Sequence, residues 1–256
     1  MIMNKNFRRV PILVSVKSSE EAKLALKSGV DFIDAKEPSK GALGNLPVNK
    51  IKEIVSTLKV ENFSGKITAT YGDSFEEKID FNSNNFYSYF FLDLDAVKIG
   101  FDAKGSTNSE KAVLELVDLY GEFLLNYKSS KSAKGLTQII PVLMVDKGLD
   151  IDFVEFVINS IISKNLFGIM IDTKYKIKSN LFDVINHSEI KKLFKRLNFY
   201  NLPYGIAGSL NISNSEIIKQ LKPFWAGYRG GVCNGDRIGE LSANKIKSIV
   251  KSLEIS

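Results

Sequence analysis

Cysteine and histidine are nearly absent: Cys233 and His187 are the only residues of their kinds in 256. One cysteine excludes an internal disulfide and a cysteine-built zinc centre. One histidine excludes His-rich metal sites, and catalysis by Ser–His or Cys–His pairs would depend on that single residue. His187 reads as lying on a helix far from any strand end, as surface or capping, and Cys233 lacks a partner base, so both read as structural. No apolar run approaches the roughly 20 residues of a membrane helix. The basic start, Met1 to Arg9, has no apolar signal core behind it, so a cytoplasmic location is expected. There is no long basic block either. The 35 Lys and Arg are interspersed with 29 Asp and Glu, so the net charge of +6 reads as solvated surface. A nucleic-acid-binding protein would need a basic stripe or a recognised reading module, and neither is seen. With no Pro/Gly/Ser linker and no long repeat, one domain spanning 1–256 is expected.

What the chain does contain is a rhythm. Apolar residues make up 44% of it, enough for a large core. They fall in short runs, each followed by a polar or glycine-bearing loop and then an amphipathic stretch, the pattern of βαβ units. Strands are expected at 10–16, 32–36, 66–71, 95–101, 138–145, 167–173, 204–207 and 225–229. Helices are expected at 18–28, 48–59, 83–92, 107–127, 151–164, 180–198, 213–221 and 241–253, with capping signals at Ser18, Ser109 and Ser213. Eight of each predict an α/β fold, a TIM (β/α)8 barrel. An open doubly wound sheet would want a glycine-rich turn after its first strand, where this chain has Ser15-Val16-Lys17-Ser18-Ser19. The aromatic run at 86–91 fits core or a subunit interface better than a base-stacking platform.

Two lysines stand out inside the predicted strands: Lys36 in Phe32-Ile-Asp-Ala-Lys-Glu-Pro38 and Lys98 in Ala96-Val-Lys-Ile-Gly100. Burying an ammonium costs several kcal/mol unless it is paired or does chemistry. Strand side chains alternate, so Asp34 and Lys36 share one face while Ile33 and Ala35 share the other. By the same rule Lys98 points inward between Val97 and Ile99, and Asp172 points inward after Ile169 and Ile171, beside Lys174 and Lys176. Catalytic groups of such barrels come from the C-terminal strand ends, where Asp34, Lys36, Lys98 and Asp172 would converge. The competing structural reading is a set of buried Lys/Asp pairs that neutralise one another.

After the seventh and eighth strands lie Gly205-Ile-Ala-Gly208-Ser209 and Gly227-Tyr-Arg229-Gly230-Gly231. Gly208, Ser209, Gly230 and Gly231 would let backbone N–H groups approach phosphate oxygens, with Arg229 adding charge. Loops after strands seven and eight are the usual phosphate site of this fold. Two lysines, a phosphate cradle and almost no histidine suggest imine chemistry, in which a neutral amine attacks a carbonyl and the iminium serves as electron sink. A free lysine titrates near about 10.4, so attack near neutral pH needs burial or like-charged neighbours such as Lys98 and Lys176 around Lys36.

The strings Phe32-Ile-Asp-Ala-Lys-Glu-Pro-Ser-Lys-Gly-Ala-Leu-Gly44, Val97-Lys-Ile-Gly100, Met170-Ile-Asp-Thr173, Ala207-Gly-Ser-Leu210 and Tyr228-Arg-Gly-Gly-Val-Cys233, followed by Gly235-Asp-Arg237, resemble the (5-formylfuran-3-yl)methyl phosphate synthase family over nearly the whole chain. The resemblance implies a TIM barrel that joins two glyceraldehyde 3-phosphates, with loss of one phosphate and two waters, on the way to methanofuran-type cofactors. It further implies that Lys36 is the Schiff-base lysine and Lys98 the proton-transferring lysine, with Asp34, Asp172 and Lys176 in support. It calls for no cofactor and no metal. The expected partner is a small-molecule triose phosphate, with no nucleic acid, no membrane, and homo-oligomerisation left open. The departures are a longer N-terminus, an aromatic 74–94 region and a Lys-rich loop after Asp172. A class I aldolase or a triose-phosphate isomerase-like enzyme would use the same lysine, and product identity separates these readings.

Overall fold

Each short apolar run becomes one strand of a cylinder, because a strand apolar on both faces must be covered on both. The computed structural model describes residues 8–73, 80–81, 83–105, 107–128, 137–164, 166–175 and 179–255. In chain order it contains β1 (Ile12–Val16), α1 (Ser19–Lys27), β2 (Phe32–Ala35), α2 (Val48–Val60), β3 (Lys66–Asp73), α3 (Asn84–Tyr89), β4 (Ala96–Asp102), α4 (Thr107–Lys128), β5 (Gln138–Met144) and α5 (Ile151–Lys164). These are followed by β6 (Ile169–Asp172), α6 (Leu181–Val184), α7 (His187–Phe199), β7 (Tyr204–Ile206), α8 (Ser215–Leu221), β8 (Trp225–Tyr228) and α9 (Ala243–Ser252), with 3-10 turns at Pro38–Lys40, Ile212–Asn214 and Gly230–Val232. All strand pairings are parallel in sequence order, and β8 returns to β1 with Leu13 opposite Gly227, so the sheet closes and has no edge.

Strand alternation divides the apolar side chains into two bodies. Ile33, Ala35, Val97, Ile99, Phe101, Ile169 and Ile171 face outward into one cluster with the apolar stripes of the helices, such as Ile51, Ile54 and Leu58 of α2 and Ile190, Leu193 and Leu197 of α7. Burying each such aliphatic side chain stabilises by about 1.5–3 kcal/mol relative to exposure. Leu13, Phe32, Ala96, Ile140, Val142, Met170 and Trp225 face inward and form a separate cluster in the barrel. Phe86, Tyr89 and Phe90 of the aromatic run pack as core, while Phe91 stays exposed. Phe86 meets Tyr71 edge-on at 4.8 Å, and Phe86 and Tyr89 are fully buried.

The local signals fare unevenly. Ser18 caps α1 as expected, its hydroxyl accepting the Glu21 N–H at 3.3 Å. Ser109 lies inside α4 rather than at its start, and Asn211, not Ser213, caps the 3-10 turn Ile212–Asn214 that leads into α8, its side chain accepting the Ser213 N–H at 2.9 Å. The helix expected at 180–198 is two helices, because Ile185 is extended and Asn186 starts a new one with a capping box to Glu189.

Candidate active site

Asp34 on β2 lies in register with Ser15 on β1 and Thr68 on β3. Both hydroxyls point inward by alternation and donate to its carboxylate, Ser15 Oγ to Oδ2 at 3.0 Å and Thr68 Oγ1 to Oδ1 at 2.7 Å. The ammonium of Lys98 on β4 is 2.7 Å from Oδ2, with side-chain exposures of 2% for Lys98 and 0% for Asp34. A buried ion pair is maintained when further hydrogen bonds meet the remaining lone pairs, which is what Ser15 and Thr68 provide.

Lys36 follows directly at the end of β2 and is also buried, its N–H donating to the Val16 carbonyl at 2.9 Å. The loop that leads away from it folds back over the mouth. Ala42 and Leu43 join the inner apolar cluster, the Glu37 N–H donates to Gly44 O at 2.9 Å, and Thr70 Oγ1 donates to the same carbonyl at 2.7 Å. Thr70 is the register partner of Lys98, so the loop after Lys36 is tied to the strand pair that carries the second lysine. Asp172 ends β6, buried, and accepts the Thr173 N–H at 2.7 Å.

Ser15, Lys36, Lys98 and Asp172 line a cavity of about 380 Å³ whose far wall is Gly208, Ser209, Gly230, Gly231 and Arg237. That volume falls within the range of about 300–1,000 Å³ typical of small-ligand sites. Gly208 has φ of +113°, a conformation open to glycine, and Ser209 follows at +49°. At Gly231 the constraint is space: an added Cβ would lie 2.3 Å from the Leu210 carbonyl oxygen, so the loops after β7 and β8 touch there through backbone. The four residues read as a cradle therefore lie side by side.

Two sequence expectations change. Arg229 lies against this wall, but its guanidinium is saturated by protein. Nη1 and Nη2 donate to Glu21 at 2.5 and 3.0 Å, Nη1 also to Ser15 O at 3.1 Å, Nη2 to Gly239 O at 2.8 Å, and Nε to Arg237 O at 2.8 Å. That accounts for all five N–H positions of an arginine. Arg229 thus braces the loop after β8 onto α1, and its geometry does not leave it a donor for phosphate. Lys174 is not part of the cavity lining. Its N–H donates to Asp146 at 2.6 Å and its ammonium lies 5.6 Å over the Tyr175 ring. Lys176 lies outside the described residues. Neither of the two rare residues lines the cavity. Cys233 is buried, its thiol donating to Arg229 O at 3.1 Å, and burial pushes that thiol up from its ordinary range. His187 opens α7, away from the cavity.

Ser15, Thr68, Thr70 and Arg237 were not read from the sequence as site residues, although Arg237 ends one of the strings that carry the family resemblance. The first three alternate with apolar residues in their strands, so period two would have found them. Arg237 lies in an irregular loop, where no period applies.

A family model described as 4-HFC-P synthase matches residues 12–250. A (5-formylfuran-3-yl)methyl phosphate synthase from Methanosarcina barkeri is 27% identical, with 93% of this chain and 97% of the relative aligned. One from Archaeoglobus fulgidus is 29% identical, with 95% and 97% aligned. Among solved structures, phosphoribosyl anthranilate isomerase from Thermococcus kodakaraensis superposes with a TM-score of 0.59 over 97% of this chain and 100% of its own, at 17% identity, a likeness of fold alone.

Proposed function

The chain belongs to the 4-HFC-P synthase family, the (5-formylfuran-3-yl)methyl phosphate synthases of methanofuran biosynthesis, and from that membership and the cavity's geometry we propose that it acts as a Schiff-base lyase on glyceraldehyde 3-phosphate. Two substrate molecules are joined into (5-formylfuran-3-yl)methyl phosphate, and one phosphate and two waters leave. The observation that carries the reading is the pair of buried lysines, Lys36 and Lys98, lining one cavity that ends at two contacting glycine loops.

The chemistry assigns each group a task. The Lys36 amine adds to a triose carbonyl, water departs, and the iminium draws electrons from the adjacent carbon. The Lys98 ammonium gives a proton to the hydroxyl that leaves as water, and the amine so formed takes the proton released at that carbon; Asp34, fixed by Ser15 and Thr68, is the counter-charge to the ammonium. The resulting enamine attacks the carbonyl carbon of the second triose. Loss of phosphate, ring closure and loss of two waters then give an aromatic furan, and hydrolysis of the imine, which takes up the water released when it formed, frees Lys36 and the product aldehyde. Asp172, across the cavity, is positioned to pass protons in the later eliminations. The glycine loops orient the phosphate that is kept.

The test is to supply glyceraldehyde 3-phosphate alone, without metal or nucleotide, and to follow phosphate release and product mass. A product equal to two trioses less one phosphate and two waters supports the reading, and borohydride should trap the substrate on wild type but not on Lys36→Ala. An aldol or an isomerised triose with no phosphate release would replace it with an aldolase or isomerase.

A further inference from the structure

Two arginines on the segment after β8 are used in opposite ways. Arg229 has all five N–H groups on protein acceptors, as described above. Arg237, eight residues on, is half-buried in the cavity wall and, among the described residues, donates a single side-chain hydrogen bond, from Nη2 to the Gly41 carbonyl at 2.8 Å. The rest of its planar fork has no protein acceptor among those residues.

We propose that Arg237 is the side chain that binds the substrate's phosphate ester and makes the enzyme discriminate phosphorylated from unphosphorylated trioses. The inference rests on the triose phosphate reading above. Its Cβ lies 3.6 Å from where a Cβ on Gly230 would be, so the side chain rises from beside the cradle. The Gly41 bond then holds the guanidinium toward the loop that follows Lys36. The backbone beneath is braced: Arg229 Nε holds the Arg237 carbonyl, Lys17 Nζ donates to Ile238 O at 2.5 Å, and Asp236 accepts the Ile238 N–H at 2.9 Å. A donor held in place before binding loses little entropy on meeting its anion, and a planar fork matches two phosphate oxygens at once. Burial lowers the Arg237 pKa from its usual range, and Asp172 acts in the opposite sense. A half-buried cation in a cavity wall gains from pairing with a dianion, and the negative charge of Asp172 works against that gain.

Binding of inorganic phosphate to Arg237→Met and Arg237→Lys, measured by titration calorimetry, tests this directly, with borohydride trapping of glyceraldehyde 3-phosphate against glyceraldehyde as the second readout. In Arg237→Met the phosphate Kd should rise about ten- to a hundredfold, the range for charge-assisted hydrogen bonds, and the preference for the phosphorylated triose should fall by a similar factor. Trapping of unphosphorylated glyceraldehyde should hold steady, which a merely structural role for the arginine would not produce. Arg237→Lys keeps the charge without the fork and should lie between the two. A folded Arg237→Met with wild-type phosphate affinity and preference overturns the proposal and leaves the triose phosphate reading standing. If Arg237→Met fails to fold, undiminished phosphate affinity in Arg237→Lys overturns it. A wild-type protein that neither binds phosphate nor prefers the phosphorylated triose overturns the triose phosphate reading itself, and this inference with it.

Discussion

The two ends of the barrel both carry ion pairs, but they use them differently. At the strand-start end, Asp31 and Asp95 each precede an even-numbered strand and accept a backbone N–H from the strand before it, Ile12 at 2.7 Å and Ile67 at 2.9 Å. Their cationic partners, Arg9 and Lys66, stay partly exposed. Inside the barrel lie Phe32, Phe167 and Trp225, with Phe32 and Trp225 centroids 5.6 Å apart. That end joins strands and contains apolar filling. At the mouth the pairs Lys98–Asp34 and Arg229–Glu21 are buried, and Lys36, Asp172 and Arg237 face a cavity. Charge at the wet end is replaceable, whereas charge in the mouth is tied to the interior on one side and to the cavity on the other.

The difference can be broken at several levels. The largest effect is expected at Lys36 and Lys98: substitution of either by Ala should lower furan phosphate formation by more than about a thousandfold, as loss of a nucleophile or a general base does. Steady-state turnover checks this, with circular dichroism to verify folding. Next comes Asp34→Ala, which leaves the Lys98 ammonium buried without its carboxylate and should cost about 3–5 kcal/mol in denaturant unfolding. The double variant Asp34→Leu with Lys98→Met should recover much of that stability and none of the activity, because removing both charges removes the desolvation penalty along with the chemistry.

Gly231→Ala should cost about 1–3 kcal/mol, since its methyl meets the Leu210 carbonyl oxygen and must part the two cradle loops. Weaker phosphate binding should accompany the lower melting temperature. At the other end, Lys66→Ala should change stability by less than about 1 kcal/mol, less still at high salt, and leave turnover intact. The smallest effect concerns Cys233. A thiol whose folded pKa is raised contributes stability that is present below its unfolded pKa and lost as pH rises through the folded value. Cys233→Ala should therefore flatten the alkaline limb of the stability profile, and the native thiol should react slowly with disulfide reagents until the protein is unfolded.

Much of the mouth was legible before any coordinates, for a physical reason: alternation along a strand is local. Asp34, Lys36, Lys98 and Asp172 could be assigned to the interior because their neighbours Ile33, Ala35, Val97, Ile99 and Ile171 are apolar and must face the helices. The same rule could have identified Ser15 and Thr68, which are read less readily because small hydroxyl residues also occur on solvated faces. Helix ends were less secure. A cap is one hydrogen bond, and Asn186 and Asn211 competed successfully with the expected pattern.

The sequence by itself determined the eightfold βα rhythm, the inward lysines and the two glycine loops, because periodicity and glycine act within a few residues. Only the tertiary structure decided which arginine faces the cavity. Arg229 and Arg237 are alike in composition and context. They differ in that Glu21, 208 positions away in sequence, and three backbone carbonyls saturate the first, while the second reaches across the mouth to Gly41. An arginine's role is set by the acceptors that folding brings to its five N–H groups, and no local pattern encodes contacts of that sequence separation.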